Sequence, residues 1–288
     1  MKKTLLFTLS IGITIFVSPP RLEASPETRR PLHIVLDPGH GGDDEGTVFH
    51  GRSMEIAEKD ITLSLAYAAS KQLRGQGYQV TLTREADHEV PLASRTALAN
   101  RLKADLFISI HMNSAQNSPK YPKSLTESPP SAPQGVETYI LNHASNAASK
   151  RLAHLENSVI LSGAPGPTED PNVDLILKDL RLDASFSESK KLACLIQENL
   201  ALPLSAAGGS QNTNRGVKQA LFHVLLGADM PSVLVEAGFL SHPKDRARVL
   251  SPQGQIGIGR AIATAVERFF IGRENPKSRE DLSKCKIH

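Results

Sequence analysis

The chain has 288 residues, enough for one large domain or two small ones. Hydrophobic residues make up 40% of it and charged residues 22%, the mix of a soluble globular protein, and there is no tryptophan. A net charge of +3 and a pI near 8.8 suit contact with an anionic surface polymer but are too weak to argue for nucleic acid.

Residues 1–24 read as a targeting segment. Lys2 and Lys3 make its start positive, and Leu5 to Val17 is an apolar run too short to span a bilayer comfortably. Ala24 offers a small residue before a cut ahead of Ser25; an uncleaved membrane anchor is the alternative. No cysteine follows the apolar run, so a lipid-modified N-terminus is not expected. The mature protein is expected to be periplasmic or secreted, with no stable membrane anchor. Residues 25–30 form a polar linker, 31–272 the folded domain, and 273–288 a basic, flexible tail.

The domain opens with a short buried strand, His33 to Asp37. Ile56 to Leu73 has helical periodicity, with Ile61, Leu65, Ala68, Ala69 and Leu73 on one face, and Gly75-Gln-Gly77 stops it. Tyr78 to Thr83 is a strand, Leu92 to Leu102 a helix, and Ala104 to Ile110 a strongly apolar strand. Asn117 to Gln134, rich in proline and serine, reads as an exposed loop. Val136 to Leu141 is a strand, and helical and loop signals alternate from Asn142 to Asn199. Phe222 to Gly227 is helical or irregular, Pro231 to Glu236 is the last buried strand, and Ile256 to Ile271 a closing helix. This order predicts an α/β fold: a single doubly wound, mostly parallel sheet with helices on both faces. Of the two cysteines, Cys194 lies in an apolar helical pattern and Cys285 in the polar tail. They read as unpaired, with Cys194 a core thiol, and neither has metal-site spacing.

In such a sheet, ligands gather beyond the carboxyl ends of the strands. His40 follows the first strand, His111 follows the Leu106–Ile110 run, Glu236 ends the Val233–Val235 run, and Glu58 lies near the start of the first long helix. The glycines of Gly39-His40-Gly41-Gly42 permit a tight turn beside such a site. Two histidines and one glutamate can hold a zinc ion and leave a position open for water. A further glutamate can then move protons, and metal-assisted hydrolysis of an amide needs that combination. Each residue alone has an ordinary structural explanation; together at successive strand ends they do not.

The local motifs strengthen this. Leu36-Asp-Pro-Gly-His-Gly-Gly42, Glu58-Lys-Asp60, Leu82-Thr-Arg84 with Arg95 and Ala99-Asn100, Ser109-Ile-His-Met-Asn113, Asn214-Arg-Gly-Val-Lys218 and Val233-Leu-Val-Glu-Ala-Gly-Phe239 occur in order. In these motifs, over nearly all of residues 31–271, the chain resembles the zinc-dependent N-acetylmuramoyl-L-alanine amidases, the type 3 cell-wall amidases that remodel peptidoglycan during division. Asp60 stands where Asn is commoner in that family, and Met112 where Ala is usual. The resemblance implies that His40, Glu58 and His111 bind Zn2+ and that Glu236 is the catalytic base. Glu55 is a rival for Glu58, which is preferred because Lys59 and Asp60 follow it. Arg215 and Asn113 are then substrate-binding candidates, Arg215 because its planar fork fits a stem-peptide carboxylate. The reaction implied is hydrolysis of the amide between the lactyl group of N-acetylmuramic acid and L-alanine. The implied role is wall remodelling and daughter-cell separation.

The resemblance also implies a control device. In relatives held inactive, a helix in the region of Ala144 to Ser187 blocks the zinc site with a carboxylate, and Glu156 or Glu169 is the candidate here. A division-associated activator protein would then be a partner alongside peptidoglycan. Two other readings remain. Ser187-x-x-Lys190, with Ser210 and Asn212, fits the pattern of a penicillin-sensitive serine carboxypeptidase, although the same spacing recurs at Ser241–Lys244 and Ser283–Lys286 and no K-T-G strand is present. A non-catalytic wall-binding protein could keep the same fold.

Overall fold

The six residues His33–Pro38 are buried without exception, and this unbroken run makes strand β1 the middle of a sheet rather than an edge. The computed structural model describes residues 30–51, 54–114, 132–144, 146–158, 182–206, 213–275, 285 and 287–288, and Pro31–His288 forms one unit. The targeting segment, Glu169, Ser210 and Asn212 lie outside the described residues. Among the described residues no helix is long and apolar enough to cross a membrane.

After β1 come two short strands, β2 (Val48–His50) and β3 (Glu55–Ala57), which pair as an antiparallel hairpin. The pairing takes Ile56 out of the predicted helix, so α1 runs Glu58–Gly75. Glu58 and Asp60 sit in its first turn, where the helix dipole favours carboxylates. Strand β4 (Gln79–Leu82), helix α2 (Leu92–Arg101) and strand β5 (Leu106–Asn113) follow, then β6 (Val136–Leu141) and α3 (Ala147–Asn157). Helix α4 (Leu182–Ala206) passes through Pro203. Strand β7 (Asn214–Ala220), a 3-10 turn (His223–Leu225), strand β8 (Ser232–Phe239), α5 (Pro243–Leu250) and α6 (Pro252–Glu274) complete the order.

The main sheet has the order β4-β1-β5-β8-β6-β7. Every pairing is parallel except β6 with β8, so β6 and β7 run against the other four strands. The predicted fold class holds, with this one reversal. Alternation along the strands divides the core in two. Ile34, Leu36, Ile108, Ile110, Val233 and Val235 face α1, α4 and α6. Val35, Phe107, Tyr139 and Leu234 face α2, α3 and the 3-10 turn.

Strands β5 and β8 both continue past their predicted ends. Their parallel pairing persists through His111↔Glu236 and, after a bulge, to Asn113↔Phe239. His111, expected just past its strand, and Glu236, expected at the end of its own, are thus both held inside strands.

The cysteine expectation is overturned. Cys194 of α4 and Cys285 form a disulfide across 91 positions, with Cα atoms 5.8 Å apart. The tail expectation changes with it. Helix α6 extends to Glu274, Ile287 bridges to Val217 of the edge strand β7, and the His288 amide donates to the Val217 carbonyl at 2.9 Å. A pairing this distant leaves no local trace in the sequence. Removing such a bond costs about 2–5 kcal/mol. Cys285→Ser should therefore lower the denaturation midpoint of the oxidised protein and leave it insensitive to thiol reductant; an unchanged midpoint would show that the bond contributes nothing.

Candidate metal centre

The rim of the sheet is built on a pair of buried arginines. Arg84 and Arg95 are 1% and 3% exposed, unusual for a charged side chain. Arg95 donates to the Asp37 carboxylate and the Pro38 carbonyl, each at 2.8 Å, and to the His40 carbonyl at 3.0 Å. Arg84 donates to the Gly39 carbonyl at 2.8 Å and to the Lys59 carbonyl at 2.7 Å. Two guanidinium groups thus satisfy consecutive carbonyls of the turn that leaves β1. They hold His40 at a φ of 61°, a left-handed conformation that costs a non-glycine residue of order 1–3 kcal/mol. Gly39 is required for a different reason: a Cβ there would lie 2.4 Å from the His111 ring.

The donors converge from four elements. His40 Nδ1 bonds the Asp44 carboxylate at 2.8 Å, which leaves Nε2 facing inward. Glu58, fully buried at the start of α1, accepts from the Met112 amide at 2.7 Å and the Thr47 amide at 2.9 Å. Its Oε1 lies 3.1 Å from His40 Nε2 and 3.3 Å from His111 Nδ1. Glu156 of α3 brings Oε2 to 3.3 Å from His40 Nε2 and 3.0 Å from His111 Nδ1. The ligand atoms of these four residues lie within 4.8 Å of one another.

His40 Nε2, His111 Nδ1 and Glu156 Oε2 are buried and make no hydrogen bond despite their proximity. Buried polar atoms are ordinarily paired, so three orphans aimed at one another mark a centre that can hold a metal ion. Imidazole and carboxylate donors are the set that zinc takes. Burial lowers the pKa of both imidazoles, but the carboxylates overcome it. Glu58 and Glu156 hold His40 well above its ordinary value, and Glu156 with Glu58 pushes His111 up to about 10.

Glu236 stands beside this cluster as the register partner of His111. It is fully buried, and neither carboxylate oxygen has a hydrogen-bond partner. Burial pushes its carboxyl well above the usual carboxylate range, and the nearby Glu156 adds to the effect. An unpartnered carboxyl of this kind is suited to proton transfer.

The other candidate residues separate cleanly. Glu55 is exposed on β3 and pairs with His50, away from the cluster, so it does not compete with Glu58. Asn113 is buried at the end of β5 and bonds Glu137 at 3.2 Å. Arg215, on β7, bonds Glu137 through Nε. Ser187 and Lys190 are exposed on α4; the neighbour Ser189 is buried, and its hydroxyl accepts from the Ser232 amide. Two residues of the site escaped the sequence reading, Asp44 and Glu137. Asp44 had a signal, four residues after His40 in a glycine-rich turn; Glu137 is an acidic position in an otherwise apolar strand.

The rim of this α/β sheet thus carries a buried group of two histidines and two glutamates that could bind a metal ion. The chain belongs to the N-acetylmuramoyl-L-alanine amidase family, whose model matches residues 34–268. It is 35% identical over 245 residues to the amidase AmiC of Neisseria meningitidis, covering 84% of this chain and 53% of that one. It is 31% identical over 248 residues to AmiA of Escherichia coli, covering 85% and 78%. The solved structure of AmiC2 of Nostoc punctiforme aligns over 83% of this chain and 97% of that one, with 27% identity and a TM-score of 0.56. The chain spans about half the length of the AmiC relative.

The arginine pair generates a prediction. Arg95→Met removes the cation that neutralises Asp37, leaving a carboxylate buried and uncompensated at a cost of about 3–5 kcal/mol. Denaturant unfolding should register that loss, and a change under about 1 kcal/mol would show that the pair does not hold the rim together.

Proposed function

We propose that this chain is an exported, zinc-dependent N-acetylmuramoyl-L-alanine amidase. It would cut the amide between the lactyl group of N-acetylmuramic acid and the L-alanine of the peptidoglycan stem. The observation that carries the reading is the set of orphaned donors of His40, His111 and Glu156 around Glu58, with the unpartnered Glu236 alongside.

His40, Glu58 and His111 would hold the zinc. A zinc ion so bound acts as a Lewis acid that polarises a carbonyl and acidifies water. The protein's own groups supply the rest. Asp44 fixes which nitrogen of His40 is free, and the Met112 and Thr47 amides fix Glu58. Glu236 takes a proton from the attacking water and delivers it to the departing nitrogen of L-alanine. Its burial without a partner supports that role, since no competing donor must be displaced first.

Glu156 supports a blocked resting state. It closes the donor set from α3, a helix anchored by Asn157, whose side chain bonds the Leu221 carbonyl at 2.7 Å and the His223 amide at 2.8 Å. In this reading the carboxylate occupies the place that water and substrate need, and a protein partner at the division site would draw α3 away. Export is supported by the apolar leader and by the disulfide, which suits an oxidising compartment.

Mass spectrometry of products from purified peptidoglycan should show free stem peptides beginning at L-alanine, formed with zinc and not with a chelator. Release of only a terminal D-alanine, indifferent to chelation, would move the assignment to serine chemistry. Glu236→Gln should cut kcat by about 10²–10⁴ without lowering zinc content. Glu156→Ala should raise activity; no gain would mean that α3 does not restrain the enzyme.

The raised imidazoles give a pH prediction. His111, pushed up to about 10, carries a proton at neutral pH in the metal-free protein, His40 is shifted in the same direction, and a metal must displace the protons so held. Zinc binding should therefore release protons near pH 7 and tighten as pH rises. Calorimetry in buffers of different ionisation enthalpy measures this, and no buffer dependence would contradict it.

A further inference from the structure

Glu137 lies in the same row of the sheet as the reacting groups. Glu236 of β8 is paired with His111 on one side and with Glu137 of β6 on the other. The two neighbouring carboxylates have opposite surroundings. Glu236 has no hydrogen-bond partner, whereas Glu137, 2% exposed, is saturated. One of its oxygens accepts from Lys218 Nζ at 2.6 Å and from Arg215 Nε. The other accepts from the Tyr139 hydroxyl at 2.6 Å and from Asn113 Nδ2 at 3.2 Å. Four donors on one buried carboxylate are more than neutralisation requires.

The backbone is shaped to make this contact. Register between β6 and β7 shifts between Val136↔Asn214 and Thr138↔Val217, so Arg215 and Gly216 together face Glu137. Gly216 has a φ of 80°, the left-handed geometry of a glycine bulge. The bulge aims Arg215 across β6 toward Glu137. The guanidinium also lies over the Phe239 ring, 5.0 Å from its centroid. Held on two sides, Arg215 remains 31% exposed, and its terminal nitrogens have no partner among the described residues.

We infer that Glu137 is a positioning residue that presents the outer edge of Arg215 as a subsite for a stem-peptide carboxylate beside the scissile amide. The inference deepens the amidase reading and rests on it for the identity of the ligand. By engaging Nε, Glu137 leaves the two terminal nitrogens as a planar fork, which binds a carboxylate in a bidentate manner. The same carboxylate also accepts from Asn113, two residues from His111. Specificity for an acidic peptide would then be built into the sheet rather than into a loop.

The test is direct binding of two peptides: L-alanyl-γ-D-glutamyl-meso-diaminopimelate and the same peptide with its glutamyl α-carboxylate amidated. Calorimetry is done with the full chain and with Glu156→Ala, in case α3 covers the subsite. The acid should bind at least about tenfold tighter than the amide. Arg215→Ala and Glu137→Gln should abolish that difference, and Arg215→Lys should reduce it, since lysine cannot engage Glu137 and still offer a fork. If Glu137→Gln fails to fold, the Arg215 variants at their partly exposed position carry the test. On the corresponding muramoyl peptides, Glu137→Gln should raise KM for the acid alone while kcat is largely retained. Equal binding of acid and amide in both backgrounds, no binding of either, or discrimination that survives Arg215→Ala would overturn the inference. Discrimination without any cleavage of peptidoglycan would instead refute the amidase reading and leave the subsite standing.

Discussion

The site depends on one buried carboxylate. Glu58 has no exposed surface, yet it touches three parts of the chain: the amide of Met112 in β5, the amide of Thr47 in the loop after β1, and the two imidazoles. A charge in that position is expensive to bury, and only several donors at once make it tolerable. The same contacts that make it tolerable also fix the distance between His40 and His111. The start of α1, the end of β5 and the strained turn at His40 are therefore one cooperative unit. Arg84 and Arg95 do for the turn's carbonyls what those amides do for Glu58.

The row His111, Glu236, Glu137 shows how a sheet assigns chemistry by partner rather than by residue type. Two glutamates on adjacent strands share one face and the same degree of burial. Burial raises both, but Lys218 and Arg215 hold Glu137 below the ordinary carboxylate range, while at Glu236 the His111 imidazole does not offset burial and the Glu156 carboxylate, and it stays high. One can exchange a proton and the other serves as a fixed anion. The reversal of β6 and β7 makes this possible, because it brings the basic strand β7 next to β6 at the rim.

Helix α3 brings one donor to the cluster from outside the sheet. It packs through Leu152 and Ala153 on the face that carries the donor row, and its last turn delivers Glu156. Its attachment is modest in extent: a few buried apolar side chains and the Asn157 contacts, with Leu155 on its outer surface.

Local pattern determined much of this protein. Continuous apolar runs defined β1, β5 and β8 and a period of 3.6 defined α1, and their alternation required a mostly parallel sheet with helices on both faces. Strand ends then pointed to His40, His111 and Glu236, and the start of α1 to Glu58, because in such a sheet side chains beyond the core face a common rim. What the tertiary structure alone decided are relations between distant segments. The disulfide of Cys194 with Cys285 and the docking of Ile287 on β7 join parts separated by tens of residues and leave no periodic signal. Glu156 was one of two acidic candidates until α3 brought it to the imidazoles, and Ser187 matched a motif until α4 left it on the surface. Glu137 looked like an isolated acid in an apolar strand until β7 supplied its cations. Hydrophobic periodicity is written residue by residue along the chain, whereas the partner of a buried charge is fixed only when strands from different parts of the chain come into register.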